Sequence, residues 1–370
     1  MLRLTDEDRI TLMSLEIGIV GLPNVGKSTL FNALTKNNIL AANYPFATIE
    51  PNTGIVPIPD NRLNDLAKLF KEPKIIPAVV KFTDIAGLVA GASKGEGLGN
   101  QFLSHVRECA AIAQVVRAFH NDDVQHVNNK IEPSHDIEII NTELVLADLQ
   151  SIEKRLPKIL KEARANPVLK PQAEATQKAY DLLNSNTPIY RDDGFDASDL
   201  ADLQLLTTKP IIYVFNIDEQ TLVDDKKQKE LQDLVAPALG IFVCAKLEDE
   251  LKSLDKTETI ELLESYGVKN SGLEQLINAA YKTLGLQSYL TAGDKEVRAW
   301  TIPTGATAPQ AAGVIHGDFE RGFIAADIID YIDLINAGSW ASARASGKLR
   351  TEGKTYMMRP NDVVEFKFNV

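Results

Sequence analysis

A chain of 370 residues, 44% hydrophobic and 24% charged, has the balance of a globular protein and the length for two or three domains with separate cores. Its net charge of −12 excludes a generally basic nucleic-acid coat, so any RNA contact must be local. Cys109 and Cys244, the two cysteines, lie far apart without metal-ligand spacing, which argues against a disulfide framework or a zinc site and for reduced, buried thiols.

The start, Met1-Leu2-Arg3-Leu4-Thr5-Asp6-Glu7-Asp8-Arg9, is too charged for a signal peptide, and no long apolar run follows, so a cytoplasmic protein without membrane contact is expected. Residues 1–13 read as an extension, with Met13 as a candidate natural start. From about residue 14 short apolar strands alternate with helical patterns, as a doubly wound α/β sheet requires; Ile17–Val20, Val79–Thr83 and Ala113–Phe119 read as buried parallel strands. Ligands sit at the carboxyl edge of such sheets.

Directly after the first strand stands Gly21-Leu22-Pro23-Asn24-Val25-Gly26-Lys27-Ser28, followed by Thr29 and a helical run. This is the G-x-x-x-x-G-K-[ST] phosphate loop in its strand, loop, helix context. The glycines let backbone N–H groups from Asn24 to Thr29 turn inward around a di- or triphosphate, Lys27 reaches the β and γ phosphates, and the Ser28 hydroxyl binds Mg²⁺. Thr48, in Pro45-Phe46-Ala47-Thr48-Ile49-Glu50-Pro51, is spaced to supply a second hydroxyl to the metal. Asp84-Ile85-Ala86-Gly87 is a D-x-x-G element, whose carboxylate holds the metal through water and whose Gly87 N–H meets the γ-phosphate. Loop, threonine and D-x-x-G in that order describe a nucleotide switch.

After Gly87 comes Leu88, where Ras-like enzymes carry the glutamine that orients water. Leucine cannot do so, and the water-positioning group must come from elsewhere or hydrolysis is slow. His105, His120 and His126 are the candidates near enough in sequence, and residue chemistry alone does not choose among them. Gly87, Gly91, Gly95, Gly97 and Gly99 suit a segment that rearranges around nucleotide, and Lys94 lies within it.

Between about 136 and 205 strand signals vanish. Leu149, Ile152, Leu156, Ile159 and Ala163 recur at three- and four-residue intervals beside Glu153, Lys154, Lys158 and Lys161, which predicts an amphipathic helix of coiled-coil type, kinked at Pro157 and returning over Pro171–Leu183. The cationic stripe reads as a solvated face, with partner binding as the alternative. Strand pattern resumes at Ile211–Phe215 and Ile241–Cys244, so the helical hairpin is inserted into the α/β domain.

Asn216-Ile217-Asp218-Glu219 stands where guanine readers carry N-K-x-D. The lysine is missing and the acid is longer by one methylene, while Asn216 can still meet N7 and the exocyclic amine of adenine. ATP is favoured over GTP, although Cys244-Ala245-Lys246 is similar to the S-A-K element that reads guanine O6. Beyond Leu290, a strand over Glu296–Ile302, a short helix over Ala308–Val314 and a strand over Asp362–Phe368 predict a compact α+β module. Arg344, Lys348, Arg350, Lys354 and Arg359 form its candidate RNA-contacting patch.

Together the phosphate loop, Asn43–Asn52, Asp84–Leu88, Gly91–Asn100 and Asn216–Glu219 resemble the Obg-like ATPase (YchF) family, and Ala299–Pro303 with Val363–Val370 resemble its C-terminal TGS module. The resemblance runs from about Ser14 to Val370. It implies an α/β P-loop NTPase of Ras-like G-domain type (14–135 and 206–290) with an inserted α-helical coiled-coil domain (136–205) and a C-terminal β-grasp TGS domain (291–370). It also implies Mg²⁺-dependent ATP hydrolysis, with ATP and ADP as ligands and ribosomal subunits, rRNA or tRNA as partners. A histidine in the segment matching Val124-Gln125-His126-Val127 takes the role that Leu88 leaves open, which points to His126. Asn216 holds the adenine with the Ile217 backbone beside it, and Asn24 suggests K⁺ stimulation. A GTPase of ribosome assembly and a nucleotide-regulated binding module with incidental hydrolysis are the alternative readings.

Overall fold

The computed structural model describes residues 16–36, 52–72, 74–85, 98–119, 132–192, 194–293 and 295–369. The N-terminal extension, Thr48, Gly87, Leu88, Lys94, His120 and His126 lie outside these residues.

Two sheets organise the chain. The first joins β1 (Glu16–Val20), β2 (Thr53–Pro57), β4 (Val79–Asp84), β5 (Ala111–Arg117), β6 (Ile211–Asn216) and β7 (Leu239–Val243) in the order β2-β4-β1-β5-β6-β7, parallel except for the β2–β4 pair. Every residue of β5 and β6 is buried. Their near-continuous apolar text therefore belongs to strands covered on both faces, which leaves the carboxyl edge free for ligand chemistry. Helices α1 (Lys27–Lys36), α2 (Asn61–Phe70) and α3 (Leu98–Glu108) follow β1, β2 and β4 respectively in the chain.

The predicted helical hairpin exists as α4 (Pro133–Ala165) and α5 (Lys170–Asn184). Ile137, Ile140, Leu144 and Ala147 of α4 belong to the core of the parallel sheet, whereas Ile152 packs with Ala179 and Leu183, and Ile159 with Ala173. The residue-136 boundary thus falls within a helix whose first half is part of the α/β core and whose second half pairs with α5. Pro157 sits inside α4 and the helix runs through it unbroken. Packing of Ile152, Leu156 and Ile159 against the partner helix outweighs the lost backbone bond. At the return to the sheet, buried Asp148 accepts from Leu206 N, Thr207 N and Thr207 Oγ1 at 2.9, 2.7 and 2.7 Å. Burial pushes its carboxyl up, and these donors oppose that shift.

After β6 come α6 (Glu219–Leu222), α7 (Asp225–Val235), β7, α8 (Ala245–Leu251), α9 (Lys256–Ser265) and α10 (Gly272–Thr283). The second sheet then forms from β3 (Ile75–Ile76), β8 (Leu286–Ala292), β9 (Val297–Pro303), β10 (Phe323–Asp330), β11 (Arg350–Glu352) and β12 (Asp362–Phe368), in the order β11-β10-β12-β8-β9-β3. Residue 290 lies inside β8, so the expected boundary there cuts a strand of this sheet. Alternation divides its faces. Leu286, Leu290, Val297, Ala299 and Val363 join the core of the parallel sheet, while Tyr289, Ile302, Phe323, Ile328 and Val364 form a separate core with Ala308, Ala311 and Ala312 of α11 (Ala308–Ile315).

Candidate nucleotide site at the carboxyl edge of the parallel sheet

Backbone geometry explains the residue types of the loop between β1 and α1. Gly26 has φ +102°, and a Cβ there would stand 2.5 Å from Asn216 Nδ2; at Gly21 it would stand 2.7 Å from the Val115 carbonyl oxygen. Neither position admits a side chain. Asn24 takes the left-handed region at φ 64°, which asparagine tolerates better than most residues.

Lys27 opens α1 and is buried, and its Nζ donates to the Leu22 carbonyl oxygen at 2.8 Å. Burial lowers its pKa, while the nearby Asp84 carboxylate works against that shift. The ammonium thus rests on an oxygen of its own loop. Ser28 Oγ donates to Asp84 Oδ2 at 3.1 Å, which brings the loop hydroxyl and the last residue of β4 together across 56 positions of sequence. The other carboxylate oxygen, Asp84 Oδ1, is buried and has no hydrogen-bond partner among the described residues. A hydroxyl and an orphaned carboxylate oxygen form an oxygen-only donor set, which fits a hard divalent cation that retains waters.

From β6, Asn216 sends its Nδ2 to the Val25 carbonyl oxygen at 3.1 Å, tying the end of that strand to the phosphate loop. Its other amide hydrogen and Oδ1 have no partner among the described residues and can serve a ligand. The Ile217 N–H is engaged by the Val243 carbonyl at 2.9 Å, so of its backbone only the carbonyl is left to face a base. Asp218 caps α6 by accepting from Thr221 N and Oγ1 at 2.8 and 2.6 Å.

Glu219, at the position of the guanine-reading aspartate, is engaged by Lys246 Nζ at 2.9 and 3.1 Å and by the Tyr266 hydroxyl at 3.4 Å. Lys246 is pushed up by this hydrogen bond and the accompanying charge. The sequence singles out both residues but not their pairing, and nothing in it points to Tyr266. A cavity of about 370 Å³ between α1 and α8, lined by Thr29, Ala33, Ala245 and Lys246 among others, adjoins this pair.

Arg117 also lies at the carboxyl edge, fully buried at the end of β5, with Nε donating to the Phe119 carbonyl at 3.3 Å and the guanidinium 4.6 Å from the Phe119 ring. Its only trace in the sequence is a basic residue closing an apolar strand. His105 is exposed on α3. The structure therefore brings Asn24, Val25, Gly26, Lys27, Ser28, Thr29, Asp84, Asn216 and Ile217 to one edge. Both cysteines are free and buried, and no helix among the described residues is long and apolar enough to cross a membrane.

Known proteins agree with this geometry. Residues 16–147 match the family model described as a 50S ribosome-binding GTPase, and residues 286–369 match the YchF-GTPase C-terminal model, described as a protein of unknown function. The ribosome-binding ATPase YchF of Haemophilus influenzae is 49% identical over 364 residues, covering 97% of this chain and 100% of that protein. That of Bacillus subtilis is 47% identical over 368 residues, with the same coverage. The structure of the Schizosaccharomyces pombe YchF GTPase superposes with a TM-score of 0.84 at 40% identity, covering 96% of this chain and 98% of that one. Full-length identity near one half, with the phosphate loop and the second sheet both matched, shows that the chain belongs to the YchF family.

Proposed function

We propose that this protein is a ribosome-associated switch ATPase that binds ATP at the loop between β1 and α1 and releases ADP and phosphate there. The observation that carries the reading is the convergence of Lys27, the Ser28–Asp84 contact and the Asn216 tether on one loop. Curated relatives of full-length similarity are named ribosome-binding ATPases, which supports both the nucleotide and the partner. The Glu219 carboxylate, drawn to Lys246 and Tyr266 and longer by one methylene than the guanine-reading aspartate, supports adenine over guanine, because guanine recognition there needs a carboxylate turned to N1–H and N2.

In this reading Lys27 leaves the Leu22 carbonyl for the β and γ phosphates, and the N–H groups of 24–29 surround the phosphate chain. Ser28 and, through water, Asp84 would hold Mg²⁺, with Thr48 as a further ligand; the metal supplies charge neutralisation at the phosphates. Asn216 spends one amide hydrogen on Val25 and turns the rest of its amide to the adenine, beside the Ile217 carbonyl. Gly87 would hydrogen-bond the γ-phosphate and His126 would direct the water, and Asn24 would favour K⁺. The division into a G domain, a helical insertion and a TGS module, and a cytoplasmic location, belong to the same reading.

Phosphate release under single-turnover conditions tests it. Lys27→Ala should lower the rate by about 100-fold or more, the scale on which fixed charge stabilises phosphoryl transfer. His126→Ala should slow release with ATP still bound, and unchanged turnover would remove His126 from the mechanism. Competition titration in which GTP displaces ATP at equal or lower concentration would overturn the adenine assignment.

A further inference from the structure

The basic residues of the C-terminal module do not form one patch. Arg344 pairs with Asp327 at 3.1 Å, Lys348 with Asp333 at 3.3 Å, and Arg350 with Glu352 and Asp362 at 3.4 and 3.7 Å. Arg359 differs: it is exposed, its guanidinium lies 6.0 Å from the Tyr356 ring, and it makes no ion pair among the described residues. An acid in the same state stands at the end of β10. Asp330 Oδ1 caps the helix Tyr331–Ala337 by accepting from Ile332 N at 2.9 Å, while Oδ2 has neither a hydrogen bond nor an ion pair among the described residues.

Topology brings the two to one hollow. β10 ends at Asp330, β12 begins at Asp362 directly opposite it in the antiparallel register, and β11 begins at Arg350, so all three meet at one end of the second sheet. A cavity of about 480 Å³ lies there, within the range of small-ligand sites, and it is lined by three cations, Lys348, Arg350 and Arg359, and three carboxylates, Asp330, Asp333 and Asp362. Most of these charges already have partners. Asp362, 2% exposed, accepts from the Tyr356 hydroxyl at 3.0 Å and from Arg359 N at 2.8 Å; Lys348 and Asp333 neutralise each other; Arg350 is shared among Glu352, Asp362 and the Tyr356 hydroxyl. One charge of each sign is left over, the Arg359 guanidinium and the Asp330 carboxylate.

We propose that this cavity binds a small zwitterion, a free α-amino acid, whose carboxylate meets Arg359 and whose ammonium meets Asp330. The guanidinium fork matches a carboxylate, and the second Asp330 oxygen is an acceptor for N–H. No aromatic side chain lines the cavity, and its apolar lining is limited to Gly347 and Pro360, so a nucleobase or an acyl chain gains nothing there. A phosphate would face the carboxylates of Asp330 and Asp333, and a polyamine would face the three cations. None of the lining residues belongs to the nucleotide site. The wall of the cavity is also a joint: the Pro360 carbonyl and Asn361 Oδ1 accept from Arg62 of α2 at 2.6 and 3.0 Å, and the Asn361 carbonyl accepts from Tyr331 N at 2.9 Å. A ligand held by Arg359 and Asp330 therefore orders the segment that fastens the second sheet to the parallel-sheet domain.

The test titrates the full-length protein by calorimetry with each of the ordinary protein amino acids, up to about 10 mM, the weak end of specific small-molecule binding. At least one should bind with one site per chain. With the wild type, the N-acetyl derivative of that amino acid, which lacks the ammonium, and its amide, which lacks the carboxylate, should each bind at least tenfold more weakly. Arg359→Gln and Asp330→Asn, the latter retaining a helix cap, should each weaken the parent amino acid by at least tenfold. The two charges should also separate: acetylation should cost less in Asp330→Asn than in the wild type, and amidation less in Arg359→Gln. Basal ATP turnover of both variants should match the wild type, and because the titration needs no hydrolysis, a failure of the ATPase reading leaves its outcome intact. Absence of binding by every amino acid overturns the proposal, as does binding that neither variant weakens. Inorganic phosphate that binds in place of amino acids, weakened by Arg359→Gln and unaffected or strengthened by Asp330→Asn, overturns it in favour of a simple anion site.

Discussion

At the scale of single residues, close approach governs the site. The Asn216 amide occupies the space that any side chain at position 26 would need, at a backbone φ that only glycine adopts freely. Gly26→Ala should therefore break the tether between β6 and the loop and reduce ATP affinity by at least tenfold, read by calorimetry, with the fold retained. Charge at residue scale is also legible in Asp327, 1% exposed, which lies 2.7 Å from Lys367 and accepts from Thr351 at 2.7 Å. Burial alone would raise its pKa, but Lys367, Thr351 and Arg344 hold the carboxyl below its ordinary range. The contribution of these pairings is present above the unfolded carboxylate value of about 3.9 and is lost as pH falls through the depressed folded value. Asp327→Asn should lower the urea midpoint at neutral pH and make it less sensitive to acid than that of the wild type.

Single elements show where local preference is overruled. Pro157 marks a break in the sequence, yet α4 continues through it because apolar residues on both sides are held by α5. The missing N–H and the ring's steric demand still cost the helix about 3 kcal/mol in an ordinary interior position. Pro157 is exposed, so Pro157→Ala removes no core contact. Amide hydrogen exchange across 153–165 should slow by at least tenfold in that variant; faster exchange would mean that the proline is required by the local geometry. The strands behave differently. β12 coincides with the predicted Asp362–Phe368, and β6 and β7 begin or end within two residues of the predicted runs, because burial and alternation are written directly into strand text.

Across the whole molecule the two sheets are mechanically joined. β3, in the segment between α2 and β4, pairs in parallel with β9, matching Ile75 to Val297 and Ile76 to Arg298. Lys74 meets Glu296 at 2.8 Å, Arg62 donates to the Pro360 carbonyl and Asn361 Oδ1 at 2.6 and 3.0 Å, and the Tyr331 hydroxyl donates to Asp65 at 2.6 Å. With side chains from both sheets in one core, the parallel-sheet domain and the C-terminal module should unfold as a single cooperative unit. Scanning calorimetry should show one main transition for them in the wild type, and Arg62→Ala combined with Tyr331→Phe should broaden or split it. Two well-separated transitions in the wild type would contradict a shared core. The same junction gives Asp84, at the end of β4, a short covalent path through β3 to the second sheet.

What the sequence determined by itself was the phosphate loop, the D-x-x-G aspartate, the strands that carry them and the helical interruption, because each is a local pattern whose physical demand falls on neighbouring residues. Family membership was legible for the same reason, since its motifs are contiguous words. Only the tertiary structure decided that Glu219 meets Lys246 and Tyr266, that Asn216 spends a hydrogen on Val25, and that Arg344 and Arg350 pair with Asp327 and Asp362. Those facts depend on which distant side chains meet once β6, β7 and the second sheet are packed. Pairing energy falls off within a few ångströms, and a one-dimensional text does not record those distances.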